Sequence, residues 1–245
     1  VQNARTPSDR DFISFWGAAQ LAMAGNPAAA YDNATLHAVQ KAAATFAGGG
    51  LPFPYPPAFL LLVIPFALLS FPVGMAVWAF ATFPLYFLAV KRKFPEAGGL
   101  PAAFPPVFVA AVIGQNSFVM AALFVGGLVL LRKNRPFAAG LVLGWLILKP
   151  QMALLLPVAM IAARQWRTIA GAALSSTGIL LLGFAVFGMA ATQAWIDQMP
   201  LYVDIARNGL VGWNKLASVY AAARQAGVDA GLAMTIHAIV AALAA

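Results

Sequence analysis

The sequence predicts an all-α polytopic membrane protein, a helical bundle with short or broken spans and extracytoplasmic helices beside the membrane. Three observations carry that expectation. Hydrophobic residues make up 62% of the 245 residues and charged residues only 9%, at a mean hydropathy of +0.83. A soluble domain has no interior large enough to bury so much apolar surface. The apolar residues also come in runs separated by charge or by glycine and proline, and the basic residues gather between those runs, as they do in the inner loops of membrane proteins. The net charge of +8 therefore speaks of sidedness, and no nucleic-acid partner is expected.

The chain opens with TPSDRDFISFWGAAQLAMAGNPAAAYD. Ser8 followed three residues later by Asp11 is a capping-box-like start, and Phe12, Phe15, Trp16 and Ala19 give one apolar helical face. Gly25-Asn26-Pro27 ends that helix. Residues 33–46 predict a second, weakly amphipathic helix, followed by GGG and the aromatic-proline string PFPYPPAF. This segment reads as a surface lying along a membrane. Apolar runs then fall at 57–70, 73–90, 102–113, 117–131, 137–148, 152–163, 168–188 and 228–245. Several are shorter than the roughly 20 residues of a perpendicular span, so they lie in a thinned or water-filled part of the fold or continue through polar turns.

The clusters Lys91-Arg92-Lys93, Arg132-Lys133 with Arg135, and Arg164 with Arg167 should be cytoplasmic. Counting spans between them puts the turns Gly114-Gln115-Asn116 and Lys149-Pro150-Gln151 outside. Run 57–70 does not cross on this count, since a crossing there would break the parity. The expected organisation is one transmembrane domain: a first external region at 1–72, membrane helices over 73–188, a second external region at 189–227 and a truncated span at 228–245. With no initiator Met at Val1 and AIVAALAA ending in mid-helix, the chain reads as a fragment lacking the first and last transmembrane helices.

Several chemistries are excluded. There is no cysteine, hence no disulfide or thiolate site. His37 and His237 are far apart in sequence and no histidine metal motif occurs, while Asp9 with Asp11 leaves metal dependence open. No cofactor is implied.

Lys149 stands in the oily stretch GWLILKPQMALLLP. An ammonium at the bilayer centre costs about 2.5–3.5 kcal/mol even on the mildest scale. Pro150 breaks the helix there, so the ammonium reaches the outer interface or a cavity. It either meets an anion or serves as a helix-end or snorkelling cation.

The strings DFISFW…GNPAAAYD, YPPAFLLLVIPFALL, GQNS and AAGLVLGWLILKPQMALLLPVAMIA before RQWR, in that order, resemble glycosyltransferase family 87, polyprenyl-phosphate-mannose-dependent enzymes of the C-type (GT-C) superfamily. The resemblance runs from Asp11 to about Arg167; beyond Met189 little aligns. It implies a multi-pass cell-membrane enzyme with its active site on the extracytoplasmic face. Its partners would be a polyprenyl-phosphate-sugar donor, a glycan or glycolipid acceptor and membrane lipids. The superfamily's catalytic acid in the first external loop matches Asp11, with Asp9 as the alternate. On that reading Asp11 is general base in one inverting displacement, and Lys149 meets the lipid phosphate.

Each position has a plainer role beside this one. Asp11 could cap its helix. Gln115 and Asn116 could bind sugar hydroxyls or satisfy helix ends. Gln151 could share the Lys149 site or solvate the turn. Tyr31 and Asp32 could line the acceptor path or make an ordinary turn and cap. Tyr55 reads as an interfacial anchor, and Trp195, Trp213 and Lys215 could shape a sugar site or form an aromatic belt. A transporter or flippase of lipid-linked sugars would also use short broken helices with polar turns, although no inverted repeat is evident. A non-catalytic scaffold gives no reason to pair Asp11 with Lys149.

Overall fold

A computed structural model describes residues 10–44, 50–209, 212, 213, 216 and 218–244. Every regular element among them is helical, so the chain is an all-α protein. It divides into two compact units, Val1–Trp195 and Ile196–Ala245.

The first unit is built around α1 (Phe12–Met23), which ends at Ala24 and Gly25. A 3₁₀ turn (Pro27–Tyr31) and α2 (Asn33–Ala43) fold back against it. Phe46, in the expected second helix, lies outside the described residues. α1 is not a surface helix with one apolar face: Phe12, Ile13, Ser14, Phe15, Gly17, Ala18 and Ala19 are all buried. The reason is that its faces carry different complements. The aromatic side meets Phe71, Trp78, Tyr55 and Phe59 at ring separations of 5.1–6.3 Å, while small Gly17 lets Leu36 and Gln40 of α2 approach. Each fully buried aromatic ring of this kind contributes about 1.5–3 kcal/mol.

The polar side chains of α1 and α2 hold the following segment. Ser14 Oγ donates to Pro52 O at 2.7 Å, Trp16 Nε1 to Leu69 O at 2.9 Å, and Gln20 Nε2 to Ala67 O at 2.6 Å. Buried Gln40 pairs with both backbone groups of Leu51, at 2.7 and 2.9 Å. These bonds give partners to carbonyls and an amide at a helix end and in the connecting segments. α3 (Phe59–Ala67) is only nine residues long, about 13 Å, and packs against α1.

α4 (Phe71–Lys93) is long and apolar enough to cross a membrane, as is the helix beginning at Trp166. α4 ends in Lys91, Arg92 and Lys93, cations suited to the negative end of a helix. The expected run 102–113 is two helices, α5 (Leu100–Ala103) and α6 (Pro105–Ile113), because Pro105 and Pro106 favour a helix start and push Phe104 into extended backbone. α7 (Ser117–Arg132) runs beside α4 in the same direction. Trp78 Nε1 reaches Gln115 O at 3.4 Å near one end, and Arg132 Nη1 reaches Lys93 O at 3.1 Å near the other.

α8 (Pro136–Leu143) tightens into a 3₁₀ segment, Gly144–Leu148, then α9 (Pro150–Ala153) and α10 (Leu156–Ala162) follow. α8 lies so close to α11 (Trp166–Asp197) that a Cβ on Gly140 or Gly171 would collide with the facing backbone, the close approach that small residues permit in apolar bundles. Ser176 Oγ also donates to Gly144 O at 2.9 Å. These contacts fix the stretch that carries Lys149. The expected run 168–188 is part of the longer α11, interrupted at Gly188 (φ 80°, ψ 175°).

The second unit contains α12 (Met199–Asn208), α13 (Val219–Gln225) and α14 (Ala230–Ala244). Trp213 packs edge-on against Tyr220 at 5.9 Å and under the Arg224 guanidinium at 5.3 Å. It serves this unit's own packing; Lys215 lies outside the described residues.

Candidate active site

Asp11 sits at the N-terminus of α1 in helical backbone (φ −55°, ψ −30°), and its side chain makes no capping bond. The carboxylate instead accepts a hydrogen bond from Gln115 Nε2, 104 residues away. Ser8, the other half of the expected capping box, and Asp9, the alternate acid, lie outside the described residues.

The geometry of the GQN turn explains how Gln115 arrives there. Gly114 ends α6 in the left-handed region (φ 67°, ψ 34°). Its N–H reaches Ala111 O at 3.3 Å and the N–H of Gln115 reaches Ala110 O at 2.9 Å, the paired bonds of a Schellman termination. Only glycine fits, since a Cβ there would lie 2.5 Å from Phe12 Cβ. The turn is thus pressed against the start of α1. Asn116 then opens α7 without a side-chain capping bond. Its backbone N–H donates to Gln115 Oε1 at 3.0 Å, and its Oδ1 accepts from Lys149 Nζ at 3.0 Å. Asn116 is fully buried; its Nδ2 lies toward the Tyr55 phenol without a hydrogen bond of full geometry.

Lys149 precedes Pro150, and its backbone (φ −134°, ψ 77°) stays out of the helical region, which the proline ring disfavours for its predecessor. The ammonium leaves the helix end sideways, half-buried. Burial pushes its pKa down, and the charge of Asp11 pulls it back up. The residues of three distant strings, DF, GQN and LKP, therefore form one polar chain: Asp11, Gln115, Asn116, Lys149.

A fourth stretch of sequence contributes Tyr55, whose proline-rich surroundings predict an interfacial anchor. It is 7% exposed, stacked on Phe59 at 4.3 Å and edge-on to Phe15 at 5.2 Å. Burial first, then the Asp11 charge, push its phenol well above the usual range, with the Asn116 side chain opposing. Tyr55 is thus a neutral hydroxyl beside a carboxylate. The prolines flanking it suggested membrane anchoring; only the fold reveals that Tyr31 Oη holds its carbonyl at 2.8 Å and turns the ring inward.

The remaining expected site residues do not join this chain. Tyr31 is buried and buttresses Tyr55. Asp32 caps α2 by accepting from Thr35 N at 2.8 Å, and hydrogen bonds from Thr35 hold its carboxyl below the usual value. Gln151 lies exposed on α9. Trp195 Nε1 reaches Pro54 O at 3.4 Å, an attachment to the loop that carries Tyr55. Among the described residues no three His, Cys, Asp or Glu side chains gather as metal ligands.

One hollow borders the polar chain, and a second lies against residues next to Lys149 in sequence. One, about 130 Å³, is lined by Asp11, Ser14, Phe15, Pro52, Pro54 and Tyr55. The other, about 330 Å³ and almost wholly apolar, begins at Gly144, Ile147 and Pro150 beside Lys149 and continues to Leu156 and Met160. An acid and a half-buried cation thus meet in a helical bundle with two helices long and apolar enough to cross a membrane. The model of glycosyltransferase family 87 matches residues 53–245, and the chain belongs to that family; it is a membrane glycosyltransferase. The match takes in Tyr55, Gln115, Asn116 and Lys149 and begins after Asp11. It also extends past Met189, where the sequence reading found little to align. No curated protein and no solved structure matches the chain.

Proposed function

We propose that the protein moves a sugar, mannose by family resemblance, from a polyprenyl phosphate to a hydroxyl of a glycan or glycolipid on the extracytoplasmic face. The acceptor oxygen attacks the anomeric carbon as the bond from that carbon to the phosphate oxygen breaks. The hydroxyl proton passes to Asp11, and polyprenyl phosphate departs with the bonding pair toward Lys149. No covalent enzyme intermediate is needed. Proton removal by a positioned carboxylate and charge stabilisation of a leaving phosphate are the two contributions required.

The observation that carries this reading is the joining of Asp11 and Lys149, far apart in sequence, through the Gln115–Asn116 amides. The groove beside Lys149 supplies an apolar surface suited to a prenyl chain. Sidedness has its own support. The site lies at the start of α7 and the Arg132–Lys93 contact at its end, separated by sixteen helical residues, or about 24 Å. With the basic end inside, the site faces the opposite side. The test is transfer of radiolabelled mannose from polyprenyl-phosphate-mannose by the full-length protein, with a membrane glycolipid extract as acceptor. Labelled glycolipid is expected; labelled donor carried across vesicles with no glycolipid formed would establish a transporter instead.

A further inference from the structure

We propose that Gln115 and Asn116 are positioning residues for the transfer, each orienting one of the two charged groups, so that a single glycine-hinged turn sets both. The inference rests on the reading of Asp11 as base and Lys149 as phosphate ligand.

A primary amide can present either of its ends, and its environment decides which. For Gln115 the decision is made by the main chain. The backbone N–H of Asn116 donates to Oε1 at 3.0 Å, which leaves Nε2 as the end that meets Asp11. Reversing the amide would set an oxygen against a carboxylate and an N–H against an N–H. The donor that Asp11 receives is therefore fixed by a bond that most side chains at position 116 would leave intact. The carboxylate makes no capping bond to its own helix, and this contact helps to set its direction. Precise direction matters for a base, which must lie within hydrogen-bond reach of the proton it removes.

Asn116 does the corresponding work for the cation. Asparagine at a helix start ordinarily accepts a bond from the helix's own amides; here that bond is absent and Oδ1 accepts from Lys149 Nζ instead. With Asn116 fully buried, its oxygen is an immobile anchor on a flexible four-carbon stem that would otherwise sample many rotamers. Gln115 Nε2 and Asn116 Oδ1 are thus engaged with the two charged side chains and Gln115 Oε1 with the main chain, while Asn116 Nδ2 keeps no full hydrogen bond. Gly114 makes the arrangement possible by bringing the turn against Phe12.

The experiment compares Gln115→Met, Asn116→Leu, Asp11→Asn and Lys149→Met in the full-length enzyme. It measures kcat and donor KM for transfer from polyprenyl-phosphate-mannose, and polyprenyl-phosphate affinity directly. Gln115→Met is expected to lower kcat ten- to a hundredfold with donor KM and affinity within about twofold of wild type. Asn116→Leu is expected to weaken donor affinity about tenfold with a smaller change in kcat. If either variant fails to fold, Gln115→Leu and Asn116→Ser are read the same way. Unchanged kinetics at both positions, with Asp11→Asn and Lys149→Met still disabled, overturns the inference alone. A rise in donor KM with unchanged kcat in Gln115→Met also overturns it, because that is the signature of substrate binding. Normal transfer by Asp11→Asn and Lys149→Met removes the underlying reading and the inference with it.

Discussion

The Lys149 ammonium donates to Asn116 Oδ1 at 3.0 Å, across thirty-three residues of chain. A lysine after an oily run and an asparagine in a polar turn thereby share one bond, in which neither acts for its own helix end. Lys149 and Asp11 stand at the two ends of the polar chain, and the proposed function gives them different parts in transfer.

Lys149→Met should keep the fold, since it removes a partly desolvated charge and keeps an unbranched stem. Donor affinity and transfer should both fall by about ten- to a hundredfold, the worth of a charge-assisted bond of about 1.5–3 kcal/mol. Asp11→Asn should retain donor affinity and lose nearly all transfer, because an amide cannot take the hydroxyl proton. Donor binding and single-turnover transfer, measured on the same preparations, check both.

The pH dependence of donor binding should carry the mark of Lys149. Burial lowers its pKa from 10.5, and only the ammonium form attracts a phosphate, so affinity is present below the lowered pKa and lost as pH rises through it. That loss should come at a lower pH than an exposed lysine would give. Lys149→Arg, charged to far higher pH, should abolish the alkaline loss. Polyprenyl-phosphate affinity measured between neutral and strongly alkaline pH checks the shift.

Two tyrosines in contact should separate cleanly. Tyr31→Phe removes the bond to Tyr55 O and should cost about 1 kcal/mol of stability, read as a lower melting temperature. Tyr55→Phe leaves that carbonyl bond in place and deletes the hydroxyl beside Asp11 and Asn116. It should lower kcat several-fold with little change in melting temperature.

Gly114→Ala should be among the most damaging single-methyl additions. The left-handed backbone costs a non-glycine residue about 1–2 kcal/mol, and the added Cβ meets Phe12. Melting temperature should fall, and donor affinity and kcat should fall together, because one turn carries both amides.

Sidedness is open to cysteine labelling, as the chain has no native thiol. Ala38→Cys and Arg92→Cys both fall at exposed positions. An impermeant reagent added to intact cells should modify position 38 and spare position 92; the reverse pattern would invert the topology.

The helical bundle was legible because apolar runs and basic clusters are local signals. So were the polar members of the site, which stood out as unusual residues in oily strings. Their contacts were not legible, since nothing in the sequence links Gln115 to Asp11 across 104 positions. Periodicity fails in an apolar bundle, where every helix face is oily and none points inward by composition; this is why α1 looked like a surface helix. Tyr55 was misread for the same reason, its aromatic-proline surroundings fitting a membrane interface and a buried cluster equally well. Gln151 and Asp32 show the converse: Gln151 lies two positions from Lys149 and Asp32 directly after Tyr31, and their side chains turn to solvent or to the local helix.

The length of α7 has a consequence for the acceptor. Sixteen residues fall short of a hydrocarbon layer about 30 Å thick by about 6 Å. On the proposed orientation, with Arg132 among the inner headgroups, the carboxylate end stops below the outer ones unless the bilayer thins around it. On the proposed function, both the lipid-linked donor's headgroup and the hydroxyl-bearing acceptor must then reach that depth, and the depth of the turn becomes a filter on which acceptors can descend.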